Sequence, residues 1–162
     1  MTSPYYDALE CRDPAEREAA LMQALSRQVA HAKAHSPAQA QRLRQVDPQA
    51  VDSRRALAAL PVLRKSELLE QQQAQREGRD PFAGFAGSGW TGLPYTRQAR
   101  RVFQSPGPLY EPQGQERDAW RAARALHAAG IPPGELVHNS FSYHLTPAGC
   151  MMEEACFPVG WP

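Results

Sequence analysis

The sequence predicts an α/β chain in which a helical N-terminal region leads into a sheet that is begun and left incomplete. Three observations point there. Capping residues, and apolar residues at spacings of three and four, recur through the first 78 residues. Glycine and proline then crowd residues 78–112 and return after Ile131, which punctuates the chain. Beyond residue 100, strand and helix signals alternate, but only two or three strands are credible, and a buried strand needs a neighbour on each side. The organisation expected is a helical region over residues 1–78, a Gly/Pro-rich loop over 79–99 and a partial α/β domain over 100–162.

Asp13-Pro14-Ala15-Glu16 opens the first helix. Asp13 accepts from free N–H groups of the first turn, Pro14 suits the first helical position, and Glu16 stands at the capping-box position. Met22, Leu25, Val29 and Ala32 follow as an apolar stripe. Ser36-Pro37 restarts a helix expected to end near Val46, and Ser53 opens a short one over residues 54–60, stopped by Pro61. Ser66 is placed to cap a further helix running to about Gly78, polar after Glu70 and so expected on the surface. Residues 79–94 read as loop and residues 101–104 as a short strand. Residues 116–129 form an amphipathic helix with Trp120, Ala123, Leu126 and His127 on one face, and Gly130 supplies its left-handed end. Pro132-Pro133-Gly134 turns the chain into a buried strand over 135–141. Thr146-Pro147 then starts a helix through Met151 and Met152, and "CFPVGWP" reads as a strand entering a turn.

Charge excludes some partners. Lys plus Arg number 18 and Asp plus Glu 17, a net +1, which gives no general field for nucleic acid or an anionic membrane. No apolar run is long enough to span a bilayer and no signal-peptide core opens the chain, so a cytoplasmic setting is expected. Cys11, Cys150 and Cys156 are odd in number and lack zinc spacing. Cys150 and Cys156 read as small buried apolar residues, and Cys11 as a surface or half-buried thiol. His31 and His35 stand four apart on a helix without a third ligand and read as a solvated pair. His127 and His138 read as core or interface histidines. Glu153 and Glu154 are adjacent, do not face one another, and read as a polar helix end. No catalytic residue and no metal ligand is assigned.

Two stretches have the look of a phosphate-gripping turn: "GSGWTGLP" at residues 87–94 and "QSPGPLYEP" at 104–112. Such turns work through backbone N–H groups that approach phosphate oxygens closely. The run "RRVFQSPGPLYEP", followed by "DAWRAARALHAAGIPPGELVHNSFSYHLTPAG", resembles the phenylacetate–CoA ligase family of adenylate-forming acyl- and aryl-CoA synthetases. "YYDALECRDPAERE" and "LAALPVLRKSELLE" resemble that family's opening segments, so the resemblance covers nearly the whole chain. It implies a fold that begins the large N-terminal domain of an adenylate-forming enzyme. In such enzymes a carboxylate attacks the α-phosphorus of ATP to give an acyl-adenylate, and coenzyme A then displaces AMP. A full-length relative is thus expected to use ATP, Mg and CoA with an aryl or acyl carboxylate.

The resemblance also ranks the two stretches. The family's loop follows a short strand that Arg101-Val102-Phe103-Gln104-Ser105 matches, so Ser105 and Gly107 occupy the opening of the phosphate loop. "GSGWTGLP" lacks such a strand and reads as a flexible loop. The loop at Ser105 is degenerate: the family turn Ser-Ser-Gly-Thr-Thr-Gly-Lys-Pro has lost its threonines, second glycine and lysine here. Pro106 and Pro108 each remove an N–H, and Glu111 adds negative charge. Weakened or altered nucleotide binding is expected.

In "NSFSYHLTPAG", Phe141, Tyr143, His144 and Leu145 match the family stretch Asn-x-Tyr-x-Tyr-Gly-Leu that lines the acyl or aryl pocket, with His144 in place of glycine. Phe141 and Tyr143 read equally as core residues at a strand end. The family's aromatic-Gly-x-Thr-Glu segment, ribose aspartate and lysine-bearing lid have no counterpart in these residues. The expectation is therefore a truncated N-terminal part of such a ligase, inactive alone, with no cofactor of its own and a tendency to self-associate through exposed core. The alternative is a non-catalytic module that binds a small molecule or partner through the aromatic pocket. A complete small enzyme of unrelated chemistry is disfavoured, because no nucleophile–base or metal constellation is visible.

Overall fold

A computed structural model describes residues 4–75, 78, 80–87 and 99–160. The chain divides into two compact units, Asp13–Gln98, and Met1–Arg12 together with Ala99–Pro162.

In the first of these, local capping chemistry sets the helix starts. The Asp13 carboxylate accepts from the N–H groups of Ala15 and Glu16 at the head of α1 (Pro14–His35). The Ser36 hydroxyl accepts from Gln39 N–H to begin α2 (Pro37–Arg42), and the Ser53 hydroxyl accepts from Ala56 N–H to begin α3 (Arg54–Ala58). Each such cap contributes about 1 kcal/mol. α2 ends at Arg42, short of the expected Val46, and the chain turns so that Leu43 enters the core beside Val29 and Val51. Leu25, Val46, Ala56 and Leu60 pack around those three, so Val29 and Leu25 are the parts of the apolar stripe that meet this core. α4 (Lys65–Ala74) starts one residue before Ser66. Its cap is the Glu67 carboxylate, which accepts from Arg64 N–H at 3.3 Å. Gln72 on the polar stretch of α4 is buried, so that stretch does not lie wholly on the surface.

The loop that follows is packed where it is described. The two oxygens of Asp80 accept from Phe82 N–H at 2.9 Å and Gly84 N–H at 2.6 Å, which sets a turn and buries Phe82 and Ala83. The Gly84 carbonyl accepts from the Ser36 hydroxyl and from Ala38 N–H. Gly84 has φ +78°, and a Cβ there would meet Ala38 N at 3.2 Å, so both conformation and space require glycine. Of "GSGWTGLP", only Gly87 lies within the described residues.

In the second unit, β1 (Arg101–Ser105) pairs antiparallel with β2 (Leu109–Gln113), from Arg101 opposite Gln113 to Ser105 opposite Leu109. The stretch read as a phosphate loop is thus a hairpin with Pro106-Gly107-Pro108 at its tip. α5 (Ala122–Ala128) begins well after residue 116. The reason is local: Asp118 and Arg121 take positive φ, and the Asp118 carboxylate accepts from the N–H groups of Ala122 and Ala123, which starts the helix there. Trp120 falls outside α5 and is substantially exposed. Gly130 ends the helix with φ +87°, as expected.

Residues 135–141 form no strand, and Leu136 is 83% exposed. The hairpin is the sheet of the described residues and does not flank that segment on both sides. α6 (Ala148–Cys156) packs on α5 and runs into a 3₁₀ turn, Phe157–Val159, where a strand was expected. Ala123 and Ala155 are fully buried. Among the described residues, no helix is long and apolar enough to cross a membrane.

Candidate functional site

The hairpin tip and the segment before α6 meet at a cleft of about 290 Å³, lined by Gln104, Ser105, Pro106, Gly107, Pro108, His144, Leu145 and Thr146. Gln104 N–H donates to the Leu145 carbonyl at 2.9 Å and ties the edge of β1 to that segment. The structure therefore brings together Ser105, Gly107, His144 and Leu145. Phe141 and Tyr143 do not line this cleft and are 53% and 50% exposed.

Two residues to which the family resemblance assigns no role organise the segment: Asn139, which stands at the first position of the matched stretch, and Gly149. The Asn139 amide donates to the Tyr143 hydroxyl at 2.8 Å and to the Gly149 carbonyl at 2.9 Å, while its Oδ1 accepts from Phe141 N–H at 3.1 Å. Asn139 thereby pins both ends of the aromatic stretch. Gly149 permits the return: a Cβ there would run into the Ser142 carbonyl oxygen and lie 2.9 Å from its carbon. The asparagine heading the aromatic run, able to bond its own backbone two residues on, was the available sequence signal.

The chemistry of the cleft is limited. Of the three tip residues, Gly107 alone carries an N–H, and among the described residues the lining holds no lysine or arginine. Ser105 supplies a hydroxyl and His144 an imidazole. This donor set does not fit a triphosphate, which needs several converging N–H groups and a cation. The two prolines, Gly107 and Leu145 make the rest of the wall weakly polar, which suits a small neutral or apolar group.

At the other end of β1 from Ser105 lies an ionic cluster around a buried carboxylate. Glu154 is 1% exposed, and its Oε1 accepts from Arg100 Nη1 at 2.7 Å and Arg101 Nη1 at 2.6 Å. Arg101 Nη1 also donates to Gln113 Oε1 at 3.1 Å. The hydrogen bond that Arg101 donates to Glu154 holds its guanidinium still more firmly protonated. Glu154 is thus no polar helix end: neighbours on a helix point different ways, and this one points inward. The cluster joins α6 to the start of β1 and so fixes the strand that carries Ser105.

Arg124 of α5 binds Asp7 and Glu10 at 2.6 Å each and lies over the Tyr6 ring. His127 meets the same ring edge-on at 5.7 Å, a packing role in keeping with its reading as an interface histidine. His138, by contrast, is exposed, since the strand expected to bury it is absent. All three cysteines are free: Cys150 and Cys156 are buried and Cys11 is exposed. Burial pushes the Cys156 thiol up. The His31 and His35 rings stand 4.3 Å apart. Among the described residues, no group of three or more His, Cys, Asp or Glu could hold a metal ion.

No protein-family model and no curated protein matches the chain. Solved structures do. A 2-hydroxyisobutyryl-CoA ligase in the postadenylation state, in complex with 2-HIB-AMP, matches with TM-score 0.82 and 22% identity over 99% of this chain and 34% of its own. An open conformation of that ligase with 2-HIB-AMP and CoA matches with TM-score 0.78 and 21% identity, over 99% of this chain and 37% of that one. Its complex with 2-HIB-AMP and CoA in the thioesterification state matches with TM-score 0.77 and 22% identity, over 98% and 34%.

This chain has the fold of the N-terminal part of an adenylate-forming enzyme. It spans about a third of the length of the solved ligases it matches. Among the described residues the sheet is a single two-stranded hairpin.

Proposed function

We propose that these 162 residues are a portion of a phenylacetate–CoA-ligase-like, AMP-forming acyl- or aryl-CoA synthetase and are non-catalytic by themselves. The parent reaction joins a carboxylate to CoA through an acyl-adenylate and uses ATP, Mg and CoA. The observation that carries this reading is the cleft at Ser105–Gly107. It stands where the family resemblance puts the nucleotide loop, inside a fold shared with CoA ligases, yet it offers one tip N–H and, among the described residues, no cation. Catalysis of adenylation rests on preorganised donors around the phosphates, and this tip does not supply them. Three free cysteines are consistent with a cytoplasmic, reducing setting.

A second reading is favoured by the same wall. Leu145, Pro106 and Pro108 beside His144 suit the acyl or aryl group of a carboxylate, so the chain would bind that group without reacting it. Exposed Leu136, Phe141, Tyr143 and Leu145 support self-association. Thermal shift with phenylacetate tests the binding reading. A saturable rise in melting temperature, lost on Leu145→Asp, is expected from it, and a flat response rejects it.

A further inference from the structure

A second cleft, of about 610 Å³, lies within the Asp13–Gln98 unit and is unrelated to the hairpin. It is bordered by Gln41 and Arg42 of α2, Gln71 and Gln75 of α4, and Asp80 and Gly84 of the packed loop. Its volume is that of a small-molecule site, and its wall is unusual in carrying three carboxamides and a guanidinium.

Arg42 is the informative residue. Its side chain is only 19% exposed. The acceptors it reaches among the described residues are the Pro61 carbonyl at 3.5 Å and Glu67 Oε2 at 3.8 Å. Both lie at or beyond the outer limit of a hydrogen bond. A guanidinium carries five N–H donors in a planar fork that matches a carboxylate or phosphate. In the wall of an open cleft, and with no close acceptor among the described residues, those donors are available to an anion from solution.

The surroundings select among anions. Asp80 stands in the same wall, and Glu67 lies close to Arg42. Two carboxylates oppose a dianionic phosphate and tolerate a monoanion. Asp80 directs both oxygens at the backbone N–H groups of Phe82 and Gly84, so it is held in the loop and does not swing across to pair with Arg42. Gln41, Gln71 and Gln75 are exposed and offer both donors and acceptors to the body of a ligand.

We infer that this cleft binds a small polar monocarboxylate, with its carboxylate on the Arg42 guanidinium and its amide or hydroxyl groups on the three glutamines. The inference does not depend on the ligase reading, because it uses none of the residues around Ser105. The probe is N-acetyl-L-glutamine, compared with its neutral amide and with inorganic phosphate, read by NMR on the full 162-residue chain. N-acetyl-L-glutamine is expected to shift the Arg42 Nε and the Gln71 and Gln75 side-chain resonances saturably at millimolar concentration. The neutral amide and phosphate should bind about tenfold or more weakly, the scale of a lost charged hydrogen bond. Arg42→Gln should cause a similar loss. Gln71→Ala, at an exposed helix position, should keep the fold and weaken binding severalfold, and it decides the matter if Arg42→Gln does not fold. No saturable shift, equal affinity for the neutral amide, or a response unchanged in both variants would overturn the inference.

Discussion

Glu154 of α6 and Arg101 of β1 meet at 2.6 Å, with the carboxylate almost wholly withdrawn from solvent. A carboxylate in that position is tolerable only because two guanidinium groups face it. Removing its charge leaves Arg100 and Arg101 crowded together without their counter-ion. Glu154→Gln is therefore expected to destabilise the chain by about 2 kcal/mol or more, less than a fully buried pair because both arginines are partly solvated. Urea unfolding checks this, and a change below about 0.5 kcal/mol, the level of an ordinary surface substitution, would show that the cluster does not hold α6 to β1.

Gly149 sits where a side chain would collide with the Ser142 carbonyl. Gly149→Ala should force the 141–147 segment away from α6 at a cost of about 1–3 kcal/mol. The loss should reach the cleft, because Leu145 in that segment accepts from Gln104 N–H. Faster hydrogen exchange at the Gln104 amide, beyond that at its β1 neighbours, is the expected signature. Unchanged exchange and stability would mean that the segment relaxes freely.

Arg124 holds the Asp7 carboxyl below the usual carboxylate range, chiefly by its hydrogen bond. A carboxyl whose folded pKa is depressed adds stability above its unfolded pKa and loses it as pH falls through the folded value. The attachment of residues 4–12 to α5 should therefore hold at neutral pH and weaken below about pH 4. NMR shifts of Tyr6 and His127 would follow the release. Asp7→Asn should already show the weakened state at neutral pH, and a Tyr6 environment unchanged down to pH 2 would contradict this account.

Leu136, Phe141, Tyr143 and Leu145 are each at least half exposed within ten residues. Apolar side chains exposed this close together along the chain are of the kind that marks association surfaces. Sedimentation should reveal concentration-dependent association, reduced by Leu136→Ser with Phe141→Ser. A monomer throughout the micromolar range would contradict it.

The sequence displayed what is local and concealed what is not. Asp13, Ser36 and Ser53 could be read as caps because a cap needs only the next three residues, and each behaves so. Gly130 was legible for the same reason. β2 was hidden because Ser105–Glu111 reads as a phosphate loop, and two prolines at a hairpin tip look much like loop chemistry. The start of α5 depended on Asp118 outcompeting the helix for its own first N–H groups, which apolar periodicity does not report. Glu154 was misread because its partner Arg101 is 53 residues away. Ser105, Gly107, His144 and Leu145, singled out by resemblance, line one cleft, while the positioning roles of Asn139 and Gly149 rest on contacts ten and seven residues apart, which a motif does not report.

ATP–pyrophosphate exchange by the purified 162-residue chain, with phenylacetate and with 2-hydroxyisobutyrate, tests the central claim most directly. It reads the adenylation half-reaction alone, so it requires neither CoA nor thioester formation. A hairpin tip with one N–H and no cation predicts no exchange above the protein-free control at any ATP or Mg concentration. Carboxylate-dependent exchange that disappears with Ser105→Ala would contradict it and make this cleft a working nucleotide site.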